Sequence, residues 1–265
     1  MKANIIKYIF IIFVIFIIGF AIYKIYNPKN SVDNNEQINI VENKEQILTN
    51  MRIGISDFDN INPIISQNRD IINLSSIIYE PLLTLSEDYQ LEPTLAKEYS
   101  KINEKTYIVK LKDDLKWEDG TAITGKDVQF TVDKLKQGKS IYSDNAKNIK
   151  SVEIIDVSTV RFNLNKEENF FEYNLIFPII SSSQFSGEKD FFKSRLAPIS
   201  SGKYKVKSAS VDSMELVKNY NWYGNKEKEP RIDNIKIIFY GTMGDAYNSF
   251  KIGNIDMICT SNVKI

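Results

Sequence analysis

The sequence predicts an α/β protein, a mixed sheet with packed helices, standing after one transmembrane helix. Three observations predict it. The chain opens on a single long apolar run, its later apolar stretches alternate at period two, and between them lie stretches with helical spacing. The opening run, Ile5 to Tyr26, is nearly uninterrupted, and nothing after Asn27 resembles it. Between Lys7 and Lys24 the uncharged part is a little shorter than the ~20 residues of a spanning helix, and terminal lysines can snorkel to extend it. Residues 1–26 therefore read as a transmembrane anchor or uncleaved signal. A cleaved signal peptide is the rival, with Gly19-Phe20-Ala21 a poor cleavage site. Lys2 and Lys7 at the start of the run favour a cytoplasmic N-terminus. That places the domain on the extracytoplasmic side of the cell membrane, as a single-pass protein.

Residues 27–47 are polar, rich in Asn, Glu and Lys and poor in aromatics, the composition of a flexible tether. Folded structure is expected from residue 48. Met51 to Ser56 alternates as a strand and runs into the turn-rich Asp57-Phe58-Asp59-Asn60 and Asn62-Pro63. A strand ending in a polar loop is a common ligand edge in α/β proteins. Arg69 to Tyr79 has helical spacing and is stopped by Pro81, after which Leu82 to Leu85 reads as a short strand. A hairpin follows, Tyr99 to Lys101 with Thr106 to Lys112. Thr124 opens a helix with Asp127 as the acidic half of a capping-box-like pair, and Gly138 stops it.

A second hairpin is expected at Val152 to Asp156 and Thr159 to Leu164, then an aromatic helix at Phe170 to Ile176 that stops near Pro178. Tyr204 to Ser208 and Ile235 to Tyr240 alternate as half-buried strands. Ala246 to Ile252 reads as a helix closed by Gly253, and Ile255 to Cys259 as a final strand. There is no internal repeat and no phosphate-cradling glycine loop.

Composition narrows the chemistry. The 265 residues carry 34 Lys+Arg against 34 Asp+Glu, so neither a nucleic-acid surface nor an acidic tail is indicated, and no nucleic-acid partner is expected. There is no histidine and one cysteine, Cys259, so no disulfide, zinc site or Cys/His nucleophile can be assembled within the chain, and a lipid-modified cysteine after the apolar run is excluded. Carboxylate pairs such as Asp113-Asp114, Glu118-Asp119 and Glu167-Glu168 sit in polar stretches where solvated charge is their ordinary state. No catalytic residue, metal site or cofactor is expected, and the chain is not read as an enzyme.

Several segments, in this order, resemble the extracellular solute-binding proteins of family 5, the peptide, dipeptide and nickel receptors of ABC importers. They are the opening strand with Asn62-Pro63, Ile78-Tyr79-Glu80-Pro81-Leu82, and Glu92-Pro93-Thr94-Leu95-Ala96. The most specific block runs from Thr106 through Trp117-Glu118-Asp119-Gly120 into Asp127-Val128-Gln129-Phe130. Pro198 to Tyr204, Asn219 to Gly224 and Lys251 to Asp256 complete the set. Trp117 in a strand-to-turn corner buries a large apolar surface while Asp119-Gly120 supplies the turn. Trp117, Asp119, Gly120, Asp127, Gly202 and Tyr204 are therefore expected to hold the fold rather than touch ligand.

The resemblance implies the first lobe of a two-lobed binding-protein fold, with residues 48–77 and 196–265 as core lobe and 78–195 as an inserted subdomain. It places ligand contacts at Ser56, Asp57 and Phe58, where a backbone edge meets an extended peptide and Asp57 a cationic group. It also implies an oligopeptide or other small solute, ABC permease subunits as partners, membrane attachment through the N-terminal helix, and a second lobe carried by a longer reading frame or by a separate chain. The alternative is a membrane-anchored interaction or regulatory module that no longer serves transport. An open half-cleft leaves solute hydrated, so weak binding is expected of the chain alone.

Overall fold

The computed structural model describes residues 49–56, 58–188, 190–224 and 229–259. The transmembrane segment and tether read at residues 1–47, and the ligand contact at Asp57, lie outside the described residues. In chain order the strands and α-helices are β1 (Asn50–Ser56), α1 (Arg69–Ser75), β2 (Leu83–Leu85), β3 (Leu91–Pro93), β4 (Ala96–Asn103), β5 (Thr106–Leu111), α2 (Gly125–Leu135), α3 (Ser143–Ala146), β6 (Ile149–Ile154), β7 (Thr159–Leu164), β8 (Tyr204–Ala209), β9 (Ser213–Lys218), β10 (Asn234–Tyr240), α4 (Met243–Lys251) and β11 (Met257–Ile258).

Two main sheets divide the described chain. A five-stranded sheet has the order β11-β1-β10-β9-β8 and draws its strands from both ends of the described chain. β1 runs parallel to β10 along its whole length and to β11 at Ile53 and Gly54, while β9 is antiparallel to both β10 and β8. Burial from Ile53 to Ile55 fits a strand covered on both sides, as a parallel centre requires. A four-stranded antiparallel sheet, β4-β5-β7-β6, comes from the middle of the chain. Its core gathers Trp117, Phe162, Val109, Val128 and Phe171, all fully buried, whereas Ile55, Ile71, Ile78, Tyr79 and Ile237 build a separate core against the five-stranded sheet.

Local chemistry accounts for the helix starts. Asn68 accepts from the backbone N–H of Asp70 and Ile71 and caps α1. Thr124 and Asp127 close a reciprocal capping box on α2, with the Thr124 N–H donating to Asp127 Oδ2 at 2.8 Å. Asp127 has a second duty, since its Oδ1 accepts from the Ser182 N–H and hydroxyl.

Two expected helices are shorter than their patterns. The first stops at Ser75 rather than Tyr79: beyond it the N–H groups of Ser76, Ile77 and Ile78 bond three residues back, and the carbonyls of Ile77 and Ile78 accept from Tyr204, Ser201 and Gly202. Of the aromatic helix over 170–176 only a 3-10 turn, Phe171–Asn174, forms. Phe170 before it is left-handed at φ 60°, and the Leu175 carbonyl afterwards accepts from Leu83. β9 was not expected, although Met214 and Leu216 alternate with Glu215 and are the residues buried there.

Candidate functional site

Four of the motif segments meet at one buried junction between the sheets. The Gly202 N–H donates to the Ile78 carbonyl at 2.8 Å, and a Cβ at Gly202 would stand 2.7 Å from the backbone of Ile77 and Ile78, so only glycine fits this approach. Asn219 donates its amide to the Gly202 carbonyl. The turn after Trp117 joins in, with Glu118 and Ser200 exchanging backbone and side-chain hydrogen bonds and Asn221 donating to the Glu118 carbonyl. Within that turn Gly120 has φ 85°, and Asp119 accepts from the Thr121 N–H and hydroxyl. Tyr204 is buried and donates its phenol to the Ile232 carbonyl.

Glu80 is the charged centre of the junction. Its backbone N–H donates to Ser201 Oγ, and its carboxylate accepts the Trp222 indole N–H at 3.0 Å. Burial pushes its pKa up, against the opposing pull of the Trp222 N–H, Lys203, Lys112 and the Tyr223 phenol. Burial and Glu80 together push the Tyr223 phenol far up. The Trp222 indole, Ser201 hydroxyl, Asn219 amide and Glu118 carboxylate are each engaged by a neighbour in the same chain, the arrangement of a structural knot, while the buried Ser200 hydroxyl has no hydrogen-bond partner among the described residues.

The end of β1 is different. Arg52 and Gly54 make backbone hydrogen bonds on the β11 side: the Arg52 N–H donates to the Asp256 carboxylate, and the Gly54 carbonyl accepts from the Cys259 N–H. The ladder alternates, so Ser56 faces the same side; among the described residues pairing with β11 ends at Gly54, and the Ser56 carbonyl accepts instead from the Asn68 side-chain amide at 3.5 Å. The ring of Phe58 stacks on Phe239 with centroids 4.3 Å apart and planes 12° from parallel. Ser56 stands in register with Tyr240. The following loop is tied down by Asp59, whose carboxylate accepts from the Ser66 hydroxyl and the N–H groups of Asn60, Gln67 and Asn68. Arg195 donates to the Asp59 carbonyl, joining that loop to the segment that precedes β8.

This edge offers a backbone strand end, a stacked aromatic wall and a hydroxyl, a combination suited to holding an extended polar chain. Among the described residues no group of three His, Cys, Asp or Glu side chains gathers. Of the expected contacts, Ser56 and Phe58 stand at this edge. Sequence reasoning did not assign Phe239, Tyr240 or Asp59 to it. The signal for Asp59 was the Asp-Phe-Asp-Asn turn. Phe239 had none, because only the β1–β10 register brings it to Phe58.

Known proteins share this architecture. Residues 90–264 match the family described as bacterial extracellular solute-binding proteins, family 5 Middle. The peptidoglycan-binding protein YepA of Agrobacterium fabrum is 25% identical over 224 residues, which span 77% of this chain and 36% of the relative. Among solved structures, the binding protein AgaA of A. tumefaciens R10 in complex with agropinic acid superposes with a TM-score of 0.71 at 21% identity, covering 79% of this chain and 43% of its own. NikZ from Campylobacter jejuni, in complex with Ni(L-His), gives 0.67 at 28% identity, covering 78% and 42%. The chain thus spans less than half the length of each.

Proposed function

The chain belongs to the bacterial extracellular solute-binding proteins of family 5, and from that premise we propose that it is the solute-receiving lobe of an extracytoplasmic binding component of an ABC importer. In this reading it takes an oligopeptide along the ends of β1 and β10, without catalysis, and is held at the membrane by residues 1–26. Residues 48–77 and 196–265 form the core lobe, residues 78–195 the inserted subdomain, and a second lobe supplies the opposing wall. The observation that carries the proposal is the end of β1, where Ser56 lies past the described pairing with β11, its carbonyl reached among the described residues only by the long 3.5 Å contact from the Asn68 amide, beside the Phe58–Phe239 stack.

A second feature favours a receptor lobe over an autonomous interaction module. Tyr247, Phe250 and Ile252 on and after α4, and Met257 on the neighbouring edge strand β11, are all exposed. Apolar surface grouped at a sheet edge calls for a cover, and a second lobe provides one. Titration calorimetry of the full chain with di- to pentapeptides tests the proposal, alone and with a co-expressed chain carrying the second lobe of a family member. Weak binding alone and tight binding in the pair are expected. Submicromolar binding by the chain alone contradicts the half-cleft, and no peptide binding by a well-formed pair overturns the peptide assignment.

A further inference from the structure

A separate recess lies on the four-stranded sheet, away from the strand ends. It has a volume of about 370 Å³ and is lined by Tyr99, Lys101 and Tyr107 of β4 and β5 and by Asn169, Phe170 and Glu172 of the segment that follows β7. Tyr173 extends the rim, meeting Phe170 edge to face at 6.3 Å. Phe170 is 72% exposed and sits at φ 60°, a conformation costly for a bulky residue, so the backbone holds an aromatic ring out to solvent with no core packing in return.

The charges around this recess are unevenly engaged. Lys101 is paired with Glu104 at 2.6 Å, and Glu168 accepts the amides of Asn148 and Asn174. Glu153 on this sheet pairs with Arg161, and Asp113 just past β5 with Lys97. The Glu172 carboxylate makes no hydrogen bond or ion pair among the described residues. Its charge falls on the recess, where it adds to burial in pushing up the phenols of Tyr99 and Tyr107.

We propose that this recess binds a small alkylammonium solute, its cationic head against Glu172 and the faces of Tyr99 and Phe170. Aromatic faces attract a cation through the ring quadrupole, and a weakly hydrated alkylammonium loses little on leaving water. The unpartnered carboxylate supplies the counter-charge. An anionic ligand is repelled there, and a neutral one leaves Glu172 without a partner. The volume suits one head group with a short stem, at the small end of ligand sites. The inference does not depend on the solute edge at β1, which belongs to the other sheet.

The test is titration of the full chain with choline and with its neutral carbon isostere 3,3-dimethylbutan-1-ol, followed by calorimetry and by tyrosine ring shifts in NMR spectra. Saturable choline binding is expected, with the isostere and the Glu172→Gln variant each about tenfold weaker or more. Phe170→Gly, which suits the left-handed backbone, is expected to weaken choline binding while moving the melting temperature by less than about 2 °C. Equal affinity for choline and the isostere, no saturable binding, or full affinity in Glu172→Gln overturns the assignment.

Discussion

The junction around Glu80 and the open end of β1 contrast in where their polar groups point. At the junction the Trp222 indole, the Ser201 hydroxyl, the Asn219 amide and the Glu118 carboxylate all find partners inside the chain. At the end of β1 the strand's pairing with β11 ends, among the described residues, two residues before Ser56, and the Phe58 ring beyond it is only half-buried. The lesson concerns motifs. The segments with the most specific sequence signal, from Tyr79 to Leu82, Trp117 to Gly120 and Pro198 to Tyr204, converge where the chain binds itself. The residues read as ligand contacts carry almost no signal of their own.

That contrast can be broken in order of expected effect. Trp117→Ala empties a fully enclosed site in the core of the four-stranded sheet and is expected to cost about 3–5 kcal/mol, read as a drop of roughly 10 °C or more in thermal unfolding. A loss below about 1 kcal/mol would mean that the tryptophan is not the anchor its burial indicates. Gly202→Ala comes next. Its new methyl meets backbone atoms of Ile77 and Ile78 that cannot swing aside, and about 1–3 kcal/mol is expected in urea unfolding.

Glu80→Gln sharpens the contrast through pH. Burial holds the folded pKa of Glu80 above its unfolded value, so protonation favours the fold. Its contribution is fully present below the unfolded pKa and is lost as pH rises through the raised folded pKa. Carboxylates held low by partners, such as Asp113 beside Lys97 and Asp256 beside Arg52, act in the opposite sense, losing their contribution as pH falls. The informative quantity is therefore the stability of the parent minus that of the Gln variant. It should fall as pH rises from the ordinary glutamate range through the raised folded pKa, and a difference that stays flat from acid to neutral pH removes Glu80 from the account.

Phe58→Ala is expected to have the smallest effect on folding, about 1 kcal/mol, since it removes one stack at the rim of the second core. Its larger effect should appear in peptide titration of the two-lobe pair. A variant with unchanged peptide affinity would take Phe58 out of the solute edge.

Legibility in the sequence followed the range of the interactions. The capping box at Thr124 and Asp127 is complete within four residues, and the structure closes it as the sequence implies. The stop at Gly253 is equally local, with φ 76° just past α4. Past the end of α1 the backbone tightens into turns that present the Ile77 and Ile78 carbonyls to Ser201, Gly202 and Tyr204, partners more than a hundred residues away that no local spacing announces. The helix expected over 170–176 is limited to a 3-10 turn at Phe171–Asn174, with Phe170 before it held in a left-handed conformation at φ 60°. At the candidate site, Ser56 and Phe58 were legible as the end of a strand, while Phe239 became visible only through the parallel register.

By itself the sequence determined the α/β alternation, most strand positions, the caps of α2 and the absence of histidine chemistry, because these depend on residue type and short spacing. It also carried the ordered motifs of the solute-binding family, since each motif is a contiguous segment. Tertiary structure decided the rest. It paired β1 with β10 across nearly 180 residues, brought Glu80 against Trp222, set Phe58 on Phe239, and left Glu172 at an aromatic recess without a partner among the described residues. Those outcomes arise from strand register and from competition between distant donors and acceptors, which no local pattern encodes.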